Sequence, residues 1–273
     1  MSSYFRALSF LTVVPLPFVR FGPNGKELSA SAACFPLAGA TLGLFLAFPA
    51  WLFSFVFPPA PVAAVALVLS FLFTRGLHFD GLADTADGLI GTTSREKALQ
   101  AMEDSAVGVM GAASLFFVYL LKFVFLSQLD ITGYLLPAAL FFMPLAGRWA
   151  IVYGGSWFAP ARNRGLGDLF LRGLRWPVLL KASLGALILV GLVTWFFPHL
   201  FYPVLAGCLA ALAGAHLLSG YASRRLGGLT GDILGASCEL GELFFLLGFY
   251  LALNIVAPAW NTAKVVVSFV QAF

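Results

Sequence analysis

Asp80, Asp84 and Asp87 follow one another in the segment HFDGLADTADG, at residues 78–88. If this segment is a helix, positions i, i+4 and i+7 share one face within an arc of roughly 60°. Three like charges on one face repel each other, and they are costly near lipid. A hard divalent cation such as Mg²⁺ would relieve this repulsion, and it commonly joins carboxylates to substrate phosphates. The spacing therefore predicts a metal site for phosphate or diphosphate chemistry.

Two further residues could take part in this chemistry: one begins this segment, and the other lies 16 residues beyond its end. His78 could be a metal ligand, a proton carrier, a phosphate contact or a structural residue. Asp104 could complete the metal shell or orient an attacking hydroxyl, although it could also cap the helix that follows it. The residue types leave these alternatives open.

A second polar segment, RRLGGLTGDILG at residues 224–235, combines arginines with a glycine-rich turn. Arginine forks match phosphate oxygens, and such turns expose backbone N–H groups that can hold phosphate. Asp232 could be a metal ligand or a general base, although a capped helix start would also explain it. The substrate contacts predicted from this segment and from the helix that follows are Arg224, Arg225, Thr230, Glu239 and Glu242.

A third group of basic residues consists of Arg148, Arg162 and Arg164. Their guanidinium groups could clamp a diphosphate. Contact with lipid headgroups, or membrane topology alone, explains them equally well.

The composition predicts an integral membrane protein of the all-α class, because 60% of the residues are hydrophobic and only 10% are charged. One span needs about 20 apolar residues, so the uncharged stretch 28–74 holds two. We expect a polytopic bundle of about seven spans in a single domain, residues 1–273. The other spans are predicted as a pair within 182–223 and as single helices at 105–126, 133–154 and 240–258, with polar loops at about 75–104, 155–177 and 220–239.

The charged residues predict the orientation of the bundle. With the N-terminus in the cytoplasm, 14 of the 16 Lys and Arg residues lie on the inner side, and Lys122 and Lys264 lie on the outer side. This is a strong positive-inside signal. The acidic residues follow the same asymmetry, so the chemistry is expected to face the cytoplasm. The sequence pI near 9.1 then reflects topology and does not indicate nucleic-acid binding.

Taken together, these motifs resemble the cobalamin synthase family, the adenosylcobinamide-GDP ribazoletransferases. The matching pieces occur in the family's order over roughly residues 4–245: FLTVVPLP, FPLAGATLG, GLHFDGLADTADGL, MEDSAVGVMG and RRLGGLTGDILGASCEL. The Asp-rich and Gly-rich pieces are specific, whereas the apolar pieces are not. The chain departs from the family pattern at Glu103 and Ala106, where basic residues usually flank the acidic position 104.

The resemblance implies that α-ribazole, or its 5′-phosphate, attacks adenosylcobinamide-GDP and releases GMP. It implies a multi-pass enzyme of the bacterial cytoplasmic membrane, in contact with lipid and not with nucleic acid, and it leaves a homo-oligomer open. In the mechanism that we expect, Mg²⁺ on Asp80, Asp84 and Asp87 neutralises the diphosphate. Asp232 or Asp104 positions or deprotonates the attacking hydroxyl.

Three other classes of protein use similar residues. A CDP-alcohol phosphotransferase also opens its motif with D-x-x-D-G. In that family an Ala-Arg pair follows two residues after the Gly, whereas the residues after Gly88 are Leu89-Ile90-Gly91-Thr92 here. An intramembrane prenyltransferase usually carries two Asp-rich motifs, and this chain has one. A transporter predicts charged residues near the middle of spans. We expect the charges of this chain to lie at the cytoplasmic ends instead.

Overall fold

The computed structural model of the protein describes residues 3–14, 16, 18, 19, 26–129, 134–162 and 166–271, and side chains as far as residue 255. Within these ranges all the regular secondary structure is helical, apart from one isolated bridge between Pro160 and Leu229. The helices are α1 (Ser3–Leu11), α2 (Lys26–Ser31), α3 (Phe35–Phe53), α4 (Pro59–Thr74), α5 (Leu77–Leu89), α6 (Arg95–Ala101), α7 (Val109–Ser127), α8 (Leu135–Trp157), α9 (Leu166–Gly173), α10 (Trp176–Phe196), α11 (Phe201–Leu226) and α12 (Gly231–Gln271).

Six of the described helices are long and apolar enough to cross a bilayer, and the pair α4 and α5 makes a seventh candidate. The two members of this pair are bent by 91° relative to each other. We treat α4 as the span, because it is apolar throughout. We treat α5, which carries the three aspartates, as a helix that lies across the end of the spans. The prediction of an all-helical, multi-span bundle is confirmed.

The span α8 is the centre of the bundle, and 78% of its most apolar window is buried. It packs against α3, α11 and α12. The apolar core around it includes Phe142, Leu145 and Phe245. Since helices satisfy their own backbone hydrogen bonds, a bundle of this kind can bury its apolar residues in lipid without exposing peptide groups.

Two breaks in the apolar stretches lie where the sequence predicts them. The chain turns between α3 and α4 at residues 54–58, and the uncharged stretch 182–223 is divided by a short 3₁₀ helix at Pro198–Leu200. Proline at these positions lacks the N–H donor that a continuing helix would need, and it fixes its own φ angle.

The predicted loop 220–239 is wrong in extent. α11 continues to Leu226, α12 already begins at Gly231, and only residues 227–230 connect them. Gly227 adopts φ +76° as the C-cap of α11, a left-handed conformation that favours glycine. The charged and glycine residues of this segment therefore mark helix ends, and the final span begins nine residues earlier than residue 240.

The other two predicted loops also contain helices. Residues 75–104 include α5 and α6, and residues 155–177 include the end of α8, all of α9 and the start of α10. We call the region formed by α5, α6, α9 and the first turn of α12 the polar end of the bundle. It collects the Asp-rich and Gly-rich segments at one end of the spans.

Candidate active site

The three aspartates of the Asp-rich segment lie on α5, so the prediction of a helix here is confirmed. A tight turn places this helix across the bundle: Arg75 and Gly76 both have positive φ, at 53° and 65°. The backbone N–H groups of these two residues bond to the carbonyls of Leu72 and Phe71, which ends α4. Asp80 is exposed, and Asp84 is half-buried.

Asp80 and Asp84 face the start of α12 because glycines let the two helices approach closely. A methyl group at Gly81 would lie 2.7 Å from the carbonyl oxygen of Asp232 and 3.1 Å from Cα of Gly235. Asp80 and Asp232 line one cavity together. Residues that are far apart in sequence, on α5 and α12, are therefore brought to one site.

The electrostatics of Asp84 show how crowded these carboxylates are. Burial, and then the charges of Asp80, Asp232 and Asp87, raise the pKa of Asp84 to about 6. The raised pKa shows that the carboxyl group is partly removed from water and lies among negative charges that its site does not neutralise. Such a cluster is suited to a positive ligand.

Asp87 is turned away from this cluster and toward α7. Its Oδ2 atom accepts a hydrogen bond from the backbone N–H of Gly108 at 2.7 Å, and its Oδ1 atom accepts one from Gly111 at 2.8 Å. These N–H groups belong to the first turn of α7, where a carboxylate also interacts favourably with the helix dipole. Asp87 therefore links α5 to α7.

The donor set fits a hard cation, although it is not a preformed cage. Within the described ranges, no three His, Cys, Asp or Glu side chains lie close enough together to hold a metal ion as they stand. Asp80, Asp84 and Asp232 nevertheless supply only carboxylate oxygens, which Mg²⁺ prefers. A cation here would draw these side chains together and remove the repulsion that raises the pKa of Asp84.

Asp104 and Thr230 have local structural contacts. Asp104 is exposed, its Oδ1 accepts a hydrogen bond from the N–H of Ala106 at 3.0 Å, and it lines neither of the two cavities that Asp80 lines. The Oγ1 atom of Thr230 accepts a hydrogen bond from the N–H of Ile233 at 3.4 Å, in the first turn of α12. The catalytic role of Asp104 and the substrate contact of Thr230 stay predictions.

Two of the predicted phosphate-binding arginines hold loops together. Arg162 donates to the carbonyl of Leu99 at 2.7 Å and pairs with Glu103 at 2.9 Å. Arg225 donates to the carbonyl of Thr92 at 2.9 Å. These contacts join the connections around α6 to those around α9 and α11. Arg224 is exposed, and Arg164 lies outside the described residues.

A buried group of charges lies deeper in the bundle. Lys122 Nζ is 2.5 Å from Glu239 Oε2 and 2.8 Å from Glu242 Oε2, and Arg148 Nη1 donates to the other oxygen of Glu242. We call these four residues, on α7, α8 and α12, the buried quartet. Their exposed fractions are 0% for Lys122, 1% for Arg148, 4% for Glu239 and 2% for Glu242.

The buried quartet corrects two expectations. Lys122 does not lie on the outer side, and charged residues are not confined to the ends of the spans. Glu239 and Glu242 follow Asp232 by seven and ten residues, so they lie roughly 10–15 Å along α12 from it. The predicted substrate-binding residues of this group bond within the quartet, Glu239 to Lys122 and Arg148 to Glu242. The Nη2 atom of Arg148 lies 3.4 Å from Nδ1 of His78. His78 in turn lines the cavity of Asp80 and Asp232.

Lys122 is the residue that sequence reasoning missed as part of this polar interior. The signal was present, because a lone lysine within a long apolar span is rare and faces the interior of a bundle. Its partners could not be inferred from the sequence, since they lie more than 100 residues away on α12. Arg95, which donates to the carbonyls of Leu226 and Ala161, was missed for the same reason.

The fold and the site define a multi-span membrane enzyme whose carboxylates are collected on two helices at one end of the bundle. Residues 3–250 match the family model described as cobalamin-5-phosphate synthase. The chain belongs to this family. No solved structure matches it.

Curated relatives cover nearly the whole chain. It is 39% identical over 248 residues to the adenosylcobinamide-GDP ribazoletransferase of Desulfitobacterium hafniense strain Y51, covering 89% of this chain and 94% of the relative. It is 39% identical over 245 residues to that of Roseiflexus sp. strain RS-1, covering 88% and 86%. It is 36% identical over 261 residues to that of Citrobacter koseri, covering 90% and 99%. The family predicted from the motifs is confirmed.

Proposed function

We propose that this chain is an adenosylcobinamide-GDP ribazoletransferase that acts in the assembly of the nucleotide loop of cobalamin. The observation that carries the proposal is the similarity to the ribazoletransferases above over nearly the full length of the chain, with a family model that covers residues 3–250. The cluster of Asp80, Asp84 and Asp232 supports the same reading, since diphosphate transfer needs a site that can collect positive charge. The substrates are adenosylcobinamide-GDP and α-ribazole or its 5′-phosphate.

In this reaction a free ribose hydroxyl of α-ribazole, or of its 5′-phosphate, attacks the phosphorus that carries the cobinamide. A new oxygen–phosphorus bond forms, the bond from that phosphorus to the bridging oxygen breaks, and GMP leaves with that oxygen. This hydroxyl must lose a proton in this step, and we propose Asp232 as the carboxylate that takes it. The products are adenosylcobalamin, or its phosphate, and GMP.

The metal ligands that we propose differ from those that the spacing predicts. We propose that Asp80 and Asp84 on α5, together with Asp232 on α12, would hold Mg²⁺, whereas Asp87 fixes the start of α7. When bound, the cation would neutralise phosphate oxygens of the donor substrate. The two helices carry the carboxylates on rigid backbones that meet at Gly81 and Gly235. Their approach sets the distance between the ligands.

The site is proposed to face the cytoplasm of a bacterial cell, in its inner membrane. Exposed basic residues in or next to the polar end support this orientation through the positive-inside rule; they include Arg75, Arg172, Arg175 and Arg224. Nucleotide substrates and Mg²⁺ are then available on the side where the carboxylates lie.

The test is a turnover measurement with purified protein in detergent or nanodiscs. Adenosylcobinamide-GDP, α-ribazole or its phosphate, and Mg²⁺ are supplied, and GMP and the corrinoid product are identified by mass. We expect Mg²⁺-dependent product formation that Asp84→Asn abolishes and Glu96→Gln, an exposed carboxylate on α6, leaves unchanged. Failure of folded wild-type protein to convert either acceptor would overturn the proposal, and normal turnover by Asp84→Asn would overturn the metal set.

A further inference from the structure

A mostly apolar cavity of about 270 Å³ opens beside the carboxylates, and its lining comes from α1, α2, α3, α5, α8, α9 and α12. Three phenylalanines from different helices form one wall of it. The ring centroids of Phe10 and Phe35 are 6.1 Å apart with planes at 17°, and those of Phe35 and Phe170 are 5.7 Å apart with planes at 19°. The ring centroids of Phe10 and Phe170 are 6.4 Å apart with planes at 31°, so the three rings form one aromatic cluster in the cavity lining.

Polar side chains lie only at one end of the lining of this cavity. His78, Asp80 and Asp232 are at that end, and the remaining lining is apolar or glycine. Phe35 and Phe170 are buried, as are the lining residues Ile151 and Leu234. A ligand that fits this lining must join a flat apolar part to a polar part that carries hydroxyl groups.

The two substrates of the proposed reaction differ sharply in this respect. The corrin ring of adenosylcobinamide-GDP is far larger than the cavity, and its guanine has hydrogen-bonding groups along its edges. An apolar wall would leave those groups without partners, which is costly. α-Ribazole instead joins a dimethylbenzimidazole, which is flat, bicyclic and largely apolar, to a ribose.

We infer that this cavity binds the dimethylbenzimidazole base of the acceptor against the aromatic cluster of Phe10, Phe35 and Phe170, with the ribose directed toward Asp80 and Asp232. The inference rests on the proposed function and assigns one of its substrates to a place in the structure. The attacking hydroxyl of the ribose then lies beside the carboxylates, where the donor phosphate must also come. Stacking and exclusion of water favour binding of a flat apolar base. A sugar without such a base gains neither, so it is not expected to bind in the cavity.

Two variants alter the cavity in opposite ways. Phe170→Leu removes an aromatic face from the wall, and Ile151→Phe places a larger side chain in the space that the base would occupy. Phe249→Leu is the matched control, because Phe249 is fully buried in α12 but belongs to the apolar core away from the site. Thermal unfolding and size-exclusion chromatography establish that each variant is folded.

The dissociation constant of α-ribazole is measured by calorimetry without Mg²⁺ and without the donor, and KM is measured for each substrate separately. Loss of one stacking contact is expected to raise the dissociation constant and KM of α-ribazole at least about fivefold in both cavity variants. KM for adenosylcobinamide-GDP stays unchanged in these variants, and Phe249→Leu changes neither constant. A rise in KM for the donor alone, or no change in either constant, would overturn the inference.

A photoreactive azidobenzimidazole riboside tests the wild-type protein without any substitution. We expect it to label peptides that contain Phe35 or Phe170, and α-ribazole to protect them. Labelling confined to other helices would contradict the inference even if every variant misfolds. Wild-type protein that binds α-ribazole in the cavity but forms no cobalamin would refute the proposed function alone, while turnover with unchanged constants in the cavity variants would refute this inference alone.

Discussion

At the scale of single residues, Asp84 shows a conflict between stability and function. Its carboxyl is partly buried and lies among Asp80, Asp232 and Asp87, which together with burial raise its pKa to about 6. The ionised form therefore opposes folding when no cation is bound. A residue that costs stability in this way is typical of a functional site.

Asp84→Asn is expected to raise the melting temperature in the presence of EDTA, although it removes activity. The pKa is raised in the folded state, so the folded protein binds the proton more tightly than the unfolded chain. Stability contributed by the protonated form is present at low pH and is lost as pH rises from about 4 through about 6. The asparagine side chain does not ionise, so the variant keeps this stability as the pH rises. In thermal unfolding scans its melting temperature should therefore exceed that of wild type by a margin that grows across this pH range.

The matched experiment adds Mg²⁺ to both proteins at neutral pH. A ligand that binds only the folded state raises its stability. Wild type should gain melting temperature with Mg²⁺, and Asp84→Asn should gain much less. An equal gain in both proteins would remove Asp84 from the proposed metal set.

At the scale of helices, the site depends on how closely α5 approaches α12. Gly81 permits this approach, because any side chain there would collide with the backbone of Asp232. The collision is with a carbonyl oxygen and not with a flexible side chain, so the helices must separate to relieve it. The separation between the carboxylates of Asp80 and Asp232 would change with it.

Gly81→Ala is expected to lower kcat at least about tenfold, because a misplacement of about 1 Å in a catalytic arrangement can cost as much as 10²-fold. The control is Gly185→Ala on α10, where an added methyl group would meet nothing within 4 Å. That variant should keep full activity, and its stability should rise slightly, since alanine favours a helix over glycine. The measurements are steady-state kinetics and melting temperatures of the two variants. Equal kcat values for Gly81→Ala and Gly185→Ala would mean that the contact between α5 and α12 does not set the site geometry.

The buried quartet joins α7, α8 and α12 beneath the site. Its two acids and two bases balance in charge, and Arg148 extends the group to His78 on α5. Removing one member would leave a partner charge buried without its counterion, which is far more costly than the net value of the pair.

Lys122→Met is therefore expected to destabilise the folded protein by about 3–5 kcal/mol, since Glu239 loses its partner. The double variant Lys122→Met/Glu239→Gln should recover most of this loss, because it removes both charges. The measurement is reversible denaturation in mild detergent or lipid. A single variant as stable as wild type would show that water or another group reaches Glu239.

At the scale of the whole molecule, the bundle places all its acidic site residues at one end. The polar end contains α5, α6, α9 and the first turn of α12, and the opposite connections are short and apolar, as at residues 54–58. With seven spans, the start of the first span and the end of the last span lie on opposite sides of the membrane.

Cysteine labelling tests the orientation proposed for this bundle. Cys34, Cys208 and Cys238 are replaced, and single cysteines are introduced at Ser94, beside α6, or at Ser54, after α3. In intact cells an impermeant maleimide should label Ser54→Cys and spare Ser94→Cys, and inverted vesicles should give the opposite result. The reverse pattern would place the active site outside the cytoplasm.

The sequence by itself determined the class of the protein, the approximate number of its spans and its family. Long apolar stretches can only be buried as helices in lipid, and the Asp-rich and Gly-rich segments carry their motifs in contiguous residues, so local information was sufficient. The same information placed Asp80 and Asp84 on one helix and pointed to Asp232 as part of the chemistry.

Only the tertiary structure decided which residues meet. The meeting of Gly81 with Asp232, the pairing of Lys122 with Glu239 and the wall formed by Phe10, Phe35 and Phe170 join residues that are far apart in the chain. Such contacts depend on how the spans pack, and no short-range pattern specifies them. Helix-face periodicity likewise could not show that Asp87 caps α7, because that role depends on where a different helix begins.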